Sequence, residues 1–425
     1  MVIYTVKRGD SVYKISKKYG IPMQRIIADN QLENPNVLVP GQALVLRSDY
    51  LFHKAYQKQD ISSIAKMYGI SEESLLAANP EIESTGQNLY GKMVLIPQPP
   101  NRKRSIEVNG YAFPYTPMNV INSTVPYLTY ISIFSYQVKP DGSLIPIPDE
   151  NIVNAALNGN VLPMMVITNI REGGSFDSDI AHVILTDEQV QNTLLANVIE
   201  TLRDKNYRGL DIDFEYVFPD DRENYNRFLE KVVNALRPLG YIVVSAIAPK
   251  TKEDQPGLLY EAHDYKFHGS ILDHVIIMTY EWGYTFGPAR PVSPIDEVEK
   301  VLQYAVSVIP PEKILMGMPN YGYDWTLPFV PGSAARSITN LEAVRLAAKV
   351  GAEIHYDAKA QAPYFNYYDS DKKLHEVWFD DARSIEARLK LVDKYNLGGA
   401  SYWTINNFFL QNWLVLQNMY RIKKI

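Results

Sequence analysis

Hydrophobic positions follow two regimes along this chain. Between residues 4 and 96 they fall at short helical spacings bracketed by brief β-rich ends, and from residue 106 onward they gather in continuous apolar runs separated by stretches of 3.6 period. In the first regime Val12, Ile15, Ser16 and Tyr19 share one helical face, and Ile61, Ile64, Ala65 and Tyr68 repeat it. The repeat extends over residues 4–46 and 52–96. Tyr19-Gly20 matches Tyr68-Gly69, Asn30 matches Asn79, and Gly41 matches Gly91 after one inserted residue. Each copy starts on a β-like segment, carries two short helices and closes on "ALVL" or "MVLIP", which predicts two small β-α-α-β domains over 1–48 and 49–98. Gly20, Gly69, Asn30 and Asn79 are expected to be turn and cap residues, because helix C-termini call for glycine and asparagine.

A Pro-rich, basic stretch without apolar period, "PQPPNRKRS", predicts a short stiff linker over 99–105, with Arg102, Lys103 and Arg104 solvated. Beyond it, eight runs alternate with helical patterns: "EVNGYAFPY", "YLTYISIFSY", "VLPMMVITNI", "GLDIDFEYV", "YIVVSAIAP", "HVIIMTYEW", "KILMGMPNY" and "GGASYWTIN". That alternation predicts an α/β fold, a (β/α)8 TIM barrel over 106–425. Thr186 with Gln189 reads as a capping box ahead of Val190, Leu194, Leu195, Val198 and Leu202, and Tyr225, Phe228, Leu229, Val232 and Leu236 mark a second helix. Between strands 7 and 8, roughly residues 323–378 are too long for a plain connection and predict a small insertion with one helix and a hairpin. Its aromatic cluster, Tyr364, Phe365, Tyr367, Tyr368 and Trp378, is either the insertion's own core or a wall of a binding groove.

One run breaks the apolar rule. A strand of a parallel barrel is covered on both faces and should be nearly all hydrophobic. "GLDIDFEYV" instead sets Asp211, Asp213 and Glu215 at every second position, with Leu210, Ile212 and Phe214 between them. Side chains alternate along a strand, so the three acids share one face, and since helices cover the outside that face points into the barrel. Stacked carboxyls in a desolvated interior repel one another, so at least one pKa must rise. Glu215 lies nearest the C-terminal mouth, where barrel enzymes receive substrate, and a protonated glutamate there is a general acid. A calcium loop is a poor alternative, because Tyr216 occupies its glycine position and the spacers are bulky hydrophobes.

Composition narrows the function classes. The 425 residues carry a net charge of −6, which offers no basic stripe for nucleic acid or an anionic membrane and suits a neutral polymer. There is no cysteine, which excludes disulfides and thiol catalysis, and the seven histidines form no ligand-spaced motif, so neither metal nor cofactor is expected. No secretory signal peptide or membrane span is visible in the pattern, and a monomer is expected.

Two resemblances follow from these motifs. "YTVKRGDSVYKISKKYG…N…L…PGQALVL" resembles the LysM family, whose small domains bind N-acetylglucosamine (GlcNAc) polymers such as peptidoglycan and chitin. The likeness implies sugar contacts near residues 9–12 and 35–39, and it is weaker in the second copy, where Lys58-Gln59 replaces Gly9-Asp10. "RGLDIDFE" resembles the Asp-x-Asp-x-Glu signature of family 18 glycoside hydrolases, "MTYEWG" the family's Met-x-Tyr-Asp strand end, and "GGASYWT" its last strand. That resemblance implies catalytic roles for Glu215, Asp213, Asp211 and Tyr280, and substrate contacts from Trp403, Glu281 and Met278. It also implies substrate-assisted retention, in which the sugar's own acetamido group attacks the anomeric carbon. The chain departs from the pattern at Arg208, at Glu281 and in "VITNI", which lacks Ser-x-Gly-Gly. Two LysM-like modules ahead of such a barrel resemble the spore cortex-lytic N-acetylglucosaminidases. The implied partner is peptidoglycan cortex glycan, and the implied location is the spore coat or cortex, associated with the wall. A chitinase acting on a chitin-like polymer, or an inactive wall-binding scaffold, are the alternatives.

Overall fold

The computed structural model describes residues 1–47, 50–80, 82, 86–97 and 104–425. The chain divides into two compact units, Met1–Arg102 and Lys103–Ile425. The expected linker lies mostly outside the described residues. Arg104 is a correction: it opens the first barrel strand, and its guanidinium donates to the carbonyls of Val392 (2.8 Å) and Leu397 (2.7 Å) instead of remaining solvated.

The N-terminal unit holds two modules of the same build. In the first, strands Val2–Thr5 and Ala43–Leu46 pair antiparallel around helices Val12–Tyr19 and Met23–Asp29. In the second, strands Tyr50–Lys54 and Met93–Pro97 enclose helices Ile61–Tyr68 and Glu72–Ala78. Gly20 (φ 65°) and Gly69 (φ 64°) end the first helix of each module in the left-handed conformation. Asn30 and Asn79 do more than cap. The buried Asn30 amide donates to the carbonyls of Ile26 and Val45 and accepts the Val45 N–H (2.6 Å), which staples helix to strand, and Asn79 does the same with Leu75 and Leu95. The Lys58-Gln59 exchange preserves the loop. Gln59 Oε1 accepts the Tyr56 N–H (2.7 Å) as Asp10 Oδ2 accepts that of Lys7 (2.8 Å), and Lys58 takes the positive φ of Gly9.

The C-terminal unit is a closed eight-stranded parallel barrel. Its strands are Arg104–Ala112, Tyr130–Val138, Leu162–Thr168, Gly209–Asp213, Ile242–Ile247, His274–Ile277, Ile314–Pro319 and Gly399–Trp403, each one overlapping an apolar run of the sequence. Neighbours in sequence pair in space, and the first strand closes the ring against both the second and the eighth. Helices surround it. Asp187, not Thr186, caps helix Glu188–Asp204: its carboxylate accepts the Gln189 and Val190 N–H groups, while Thr186 ends the preceding helix and bonds back to the His182 carbonyl. The insertion between strands 7 and 8 has the expected extent, Gly322 to Trp378, but holds more strands than the expected hairpin. It is a five-stranded antiparallel sheet with helix Asn340–Val350, and the predicted hairpin is its Ala362–Tyr368 and Leu374–Trp378 pair. Phe365 and Trp378 form its interior, whereas Tyr368 is exposed. Among the described residues no helix is long and apolar enough to cross a membrane, and no cluster of histidine or acidic side chains could hold a metal ion.

Candidate active site

The fourth strand ends sooner than its hydrophobic pattern suggests, at Asp213, and the left-handed Tyr216 (φ 55°) turns the chain at the barrel's C-terminal rim. Leu210, Ile212 and Phe214 are fully buried on the outer face, where Phe214 stacks on Tyr225 and Phe228 of helix Arg222–Leu236. Asp211 and Asp213 occupy the inner face, buried, and Glu215 stands partly buried above them.

Burial dominates the electrostatics of this stack. Desolvation pushes Asp211 up to about 6, moderated by Tyr111 and Ser132. It lifts Asp213 well above the usual carboxylate range, with Glu215 and Asp211 adding repulsion. Glu215 is pushed up to about 7, first by desolvation and then by the charge of Glu281. The hydrogen bonds agree with a proton low in the stack. Ser132 Oγ lies 2.9 Å from Asp211 Oδ2 and 3.1 Å from Asn109 Oδ1, and a hydroxyl has one proton for two such acceptors. A protonated Asp211 can donate to Ser132, freeing Ser132 for Asn109, whose amide donates to Ser401 (3.0 Å). One oxygen of Asp213 is buried without a hydrogen-bond partner.

A cleft of about 590 Å³ opens over this stack, lined by Asp213, Glu215, Tyr111, Met278, Tyr280, Glu281 and Trp403, with Ala246, Pro249 and Leu259 as apolar walls. Six of the seven residues singled out from sequence therefore meet in one cavity, and Asp211 lies beneath it. Tyr280 follows the sixth strand and reaches inward because Gly317 on the seventh has no side chain. A Cβ there would stand 2.5 Å from the Ile277 carbonyl and 2.8 Å from the Tyr280 ring. Glu281, left-handed at φ 66°, sits at the exposed rim, where the Tyr321 and Tyr323 hydroxyls donate to its carboxylate. Partial desolvation raises its pKa, and those two hydroxyls oppose the rise. Trp403 ends the eighth strand, held edge-on by Tyr111 (5.3 Å), Phe134 (4.9 Å) and Phe113 (5.9 Å). The caged ring lines the cleft.

The departures from the family pattern become intelligible here. Arg208 precedes the fourth strand at the end opposite Glu215, exposed and bonded to the carbonyls of Asn206 and Tyr207, so its charge lies away from the cleft. "VITNI" supplies Asn169, whose buried side chain binds the Glu215 backbone. Sequence reasoning missed Asn169, and also Tyr111, the Asn109–Ser132–Ser401 chain and the tyrosine pair on Glu281. The inward polar set had a signal, since Asn109, Ser132 and Ser401 each interrupt an apolar run.

The comparisons with known proteins agree with this fold. The model of "Glycosyl hydrolases family 18" matches residues 165–407, and the LysM domain model matches 4–47 and 59–96. The cortical fragment-lytic enzyme of Bacillus anthracis is 42% identical over 99% of both chains. The crystal structure of the Bacillus megaterium QM B1551 spore cortex-lytic enzyme SleL superposes with a TM-score of 0.90 at 41% identity, covering 100% of this chain and 99% of that one. A chitinase from Chromobacterium violaceum ATCC 12472 matches 74% of this chain and 98% of its own, at 27% identity and a TM-score of 0.69. By sequence and fold alike, this chain belongs to the family 18 glycosyl hydrolases and carries LysM domains ahead of its barrel.

Proposed function

We propose that the protein is a spore cortex peptidoglycan hydrolase, a glycosidase that cleaves at GlcNAc with Glu215 as its acid. The observation that carries this reading is one cleft joining a carboxyl poised near neutrality, a deeper acid with an unpartnered oxygen, a buried tyrosine and a caged tryptophan. Full-length likeness to cortical fragment-lytic enzymes supports the choice of polymer over chitin. The LysM modules suit the same substrate, since linked sites on one long glycan raise effective concentration.

In this reading the protonated Glu215 gives its proton to the glycosidic oxygen as that bond breaks, and the substrate's acetamido oxygen closes on the anomeric carbon. The free Asp213 oxygen accepts the amide N–H and stabilises the oxazolinium ion. Asp211 modulates Asp213 from below, Tyr280 holds the acetamido group, and Trp403 stacks under the ring with Met278 as its apolar neighbour. Water then opens the oxazolinium as Glu215, now a carboxylate, takes the water's proton, which returns the starting configuration. Digesting purified cortex fragments and chitin side by side, with mass spectrometry of the reducing ends, tests the assignment. Release of GlcNAc-ended muropeptides from cortex is expected. Products from chitin alone would select the chitinase reading, and none from either would select a scaffold.

A further inference from the structure

The acid assigned to Glu215 stands outside the strand that carries its neighbours. The ladder of the fourth strand stops at Asp213, whose partner is Thr168, so no sheet hydrogen bond fixes the next three residues. Their backbone is held by side chains instead. His263 Nε2 lies 3.0 Å from the Phe214 carbonyl, while its Nδ1 accepts the Ala248 N–H at 3.0 Å, an arrangement that requires the neutral tautomer with the proton on Nε2. Asn169 Oδ1 accepts the Glu215 N–H (3.0 Å), and its Nδ2 donates to the Glu215 carbonyl (2.8 Å) and to that of Asp177 (3.0 Å). Ser178 Oγ donates to the Tyr216 carbonyl (2.5 Å). Asn169 is fully buried and His263 nearly so. Burial also holds His263 neutral by pulling its pKa down to about 4, as the tautomer demands.

We propose that Asn169 and His263 are positioning residues for catalysis, a two-sided clamp that holds the Phe214–Glu215 backbone so that the Glu215 carboxyl stays in the dry part of the cleft. Asn169 imitates a neighbouring strand, offering one acceptor and one donor to both backbone groups of a single residue. Such holding is needed because the following residue, Tyr216, is kept in a left-handed conformation that a non-glycine residue leaves readily when released. The proposal rests on Glu215 being the acid. Loss of the clamp has two consequences. The carboxyl moves relative to the scissile oxygen, and displacement on the ångström scale costs roughly 10²-fold in rate. The carboxyl also gains water, which lowers its pKa. The charged and titratable groups facing it are Asp213, Glu281, Tyr280 and Tyr216; the acids among them favour the protonated carboxyl and are unchanged in the variants, so the fall comes from the added water alone.

The test uses the full chain with cortex fragments as substrate, comparing wild type with Asn169→Ala, His263→Gln and Glu215→Gln. Asn169→Ala is expected to lower kcat by roughly 10²-fold with little change in KM, and to move the alkaline limb of the rate profile to lower pH. His263→Gln keeps an N–H donor for the Phe214 carbonyl, so it is expected to retain most of the rate and the position of the limb. A folded Asn169→Ala protein with wild-type kcat, or with reduced kcat and an unmoved limb, overturns the clamp. If Asn169→Ala does not fold, His263→Ala takes its place with the same expected shift and the same refuting outcomes. Retained activity in Glu215→Gln would instead overturn the acid assignment, so the two failures are distinguishable.

Discussion

Glu281 is the most exposed acid of the site, and its charge is the second cause, after desolvation, of the high pKa of Glu215. Raising that pKa from an ordinary 4.5 to about 7 favours the protonated acid by roughly 3 kcal/mol. Glu281→Gln removes the repulsion and leaves the burial, and its amide oxygen can still accept from Tyr321 and Tyr323. Because desolvation is the larger cause, the substitution should remove the smaller share. That share is on the order of 1 kcal/mol, the size of a carboxylate pair interaction across a partly hydrated cleft. In the profile of kcat/KM against pH, measured from reducing ends released by cortex fragments, the alkaline limb reports deprotonation of the free enzyme's acid. With its pKa lowered, Glu215 loses its proton sooner as pH rises, so the limb should move down by roughly three-quarters of a pH unit. At mildly alkaline pH the variant should then be several-fold slower than wild type. A limb that stays in place, or moves up, would refute the electrostatic link between rim and acid.

Two further substitutions probe the scaffold. Gly317→Ala should force the Ile277 carbonyl and the Tyr280 ring apart and lower turnover of GlcNAc substrates by at least tenfold, checked against a circular dichroism spectrum that shows the barrel intact. Asn30→Ala leaves the Val45 N–H and the carbonyls of Ile26 and Val45 without their buried partner, which should cost about 1–3 kcal/mol in the first LysM module. Thermal melting should show the loss, with hydrolysis of short soluble GlcNAc substrates little changed because the cleft belongs to the other unit.

The barrel was legible because each strand, covered on both faces, had to be a largely apolar run, and the carboxylate face was legible because one strand broke that rule at three alternate positions. The insertion was read with the right extent but too few strands, for the complementary reason. Strands as short as Arg336–Ile338 and His355–Asp357 carry too few residues to establish an alternation. Asn169 and His263 gave no signal, since each meets the Phe214–Glu215 backbone across 46 or more residues of sequence, and period reports only which way a side chain faces. Thr186 and Asp187 show a finer limit. Both residues suit an N-cap, and the choice fell to Asp187 because Thr186 already belonged to the helix before it.

The central claim is that Glu215 supplies the proton to the departing sugar, and leaving-group dependence tests it most directly. Glu215→Gln should slow cleavage of cortex glycan by roughly 10²–10⁴-fold, the usual contribution of a general acid. Release of dinitrophenolate from an aryl GlcNAc glycoside should be far less affected in a single turnover, because that leaving group departs without a proton. Equal losses on the two substrates, or no loss on cortex glycan, would contradict the assignment.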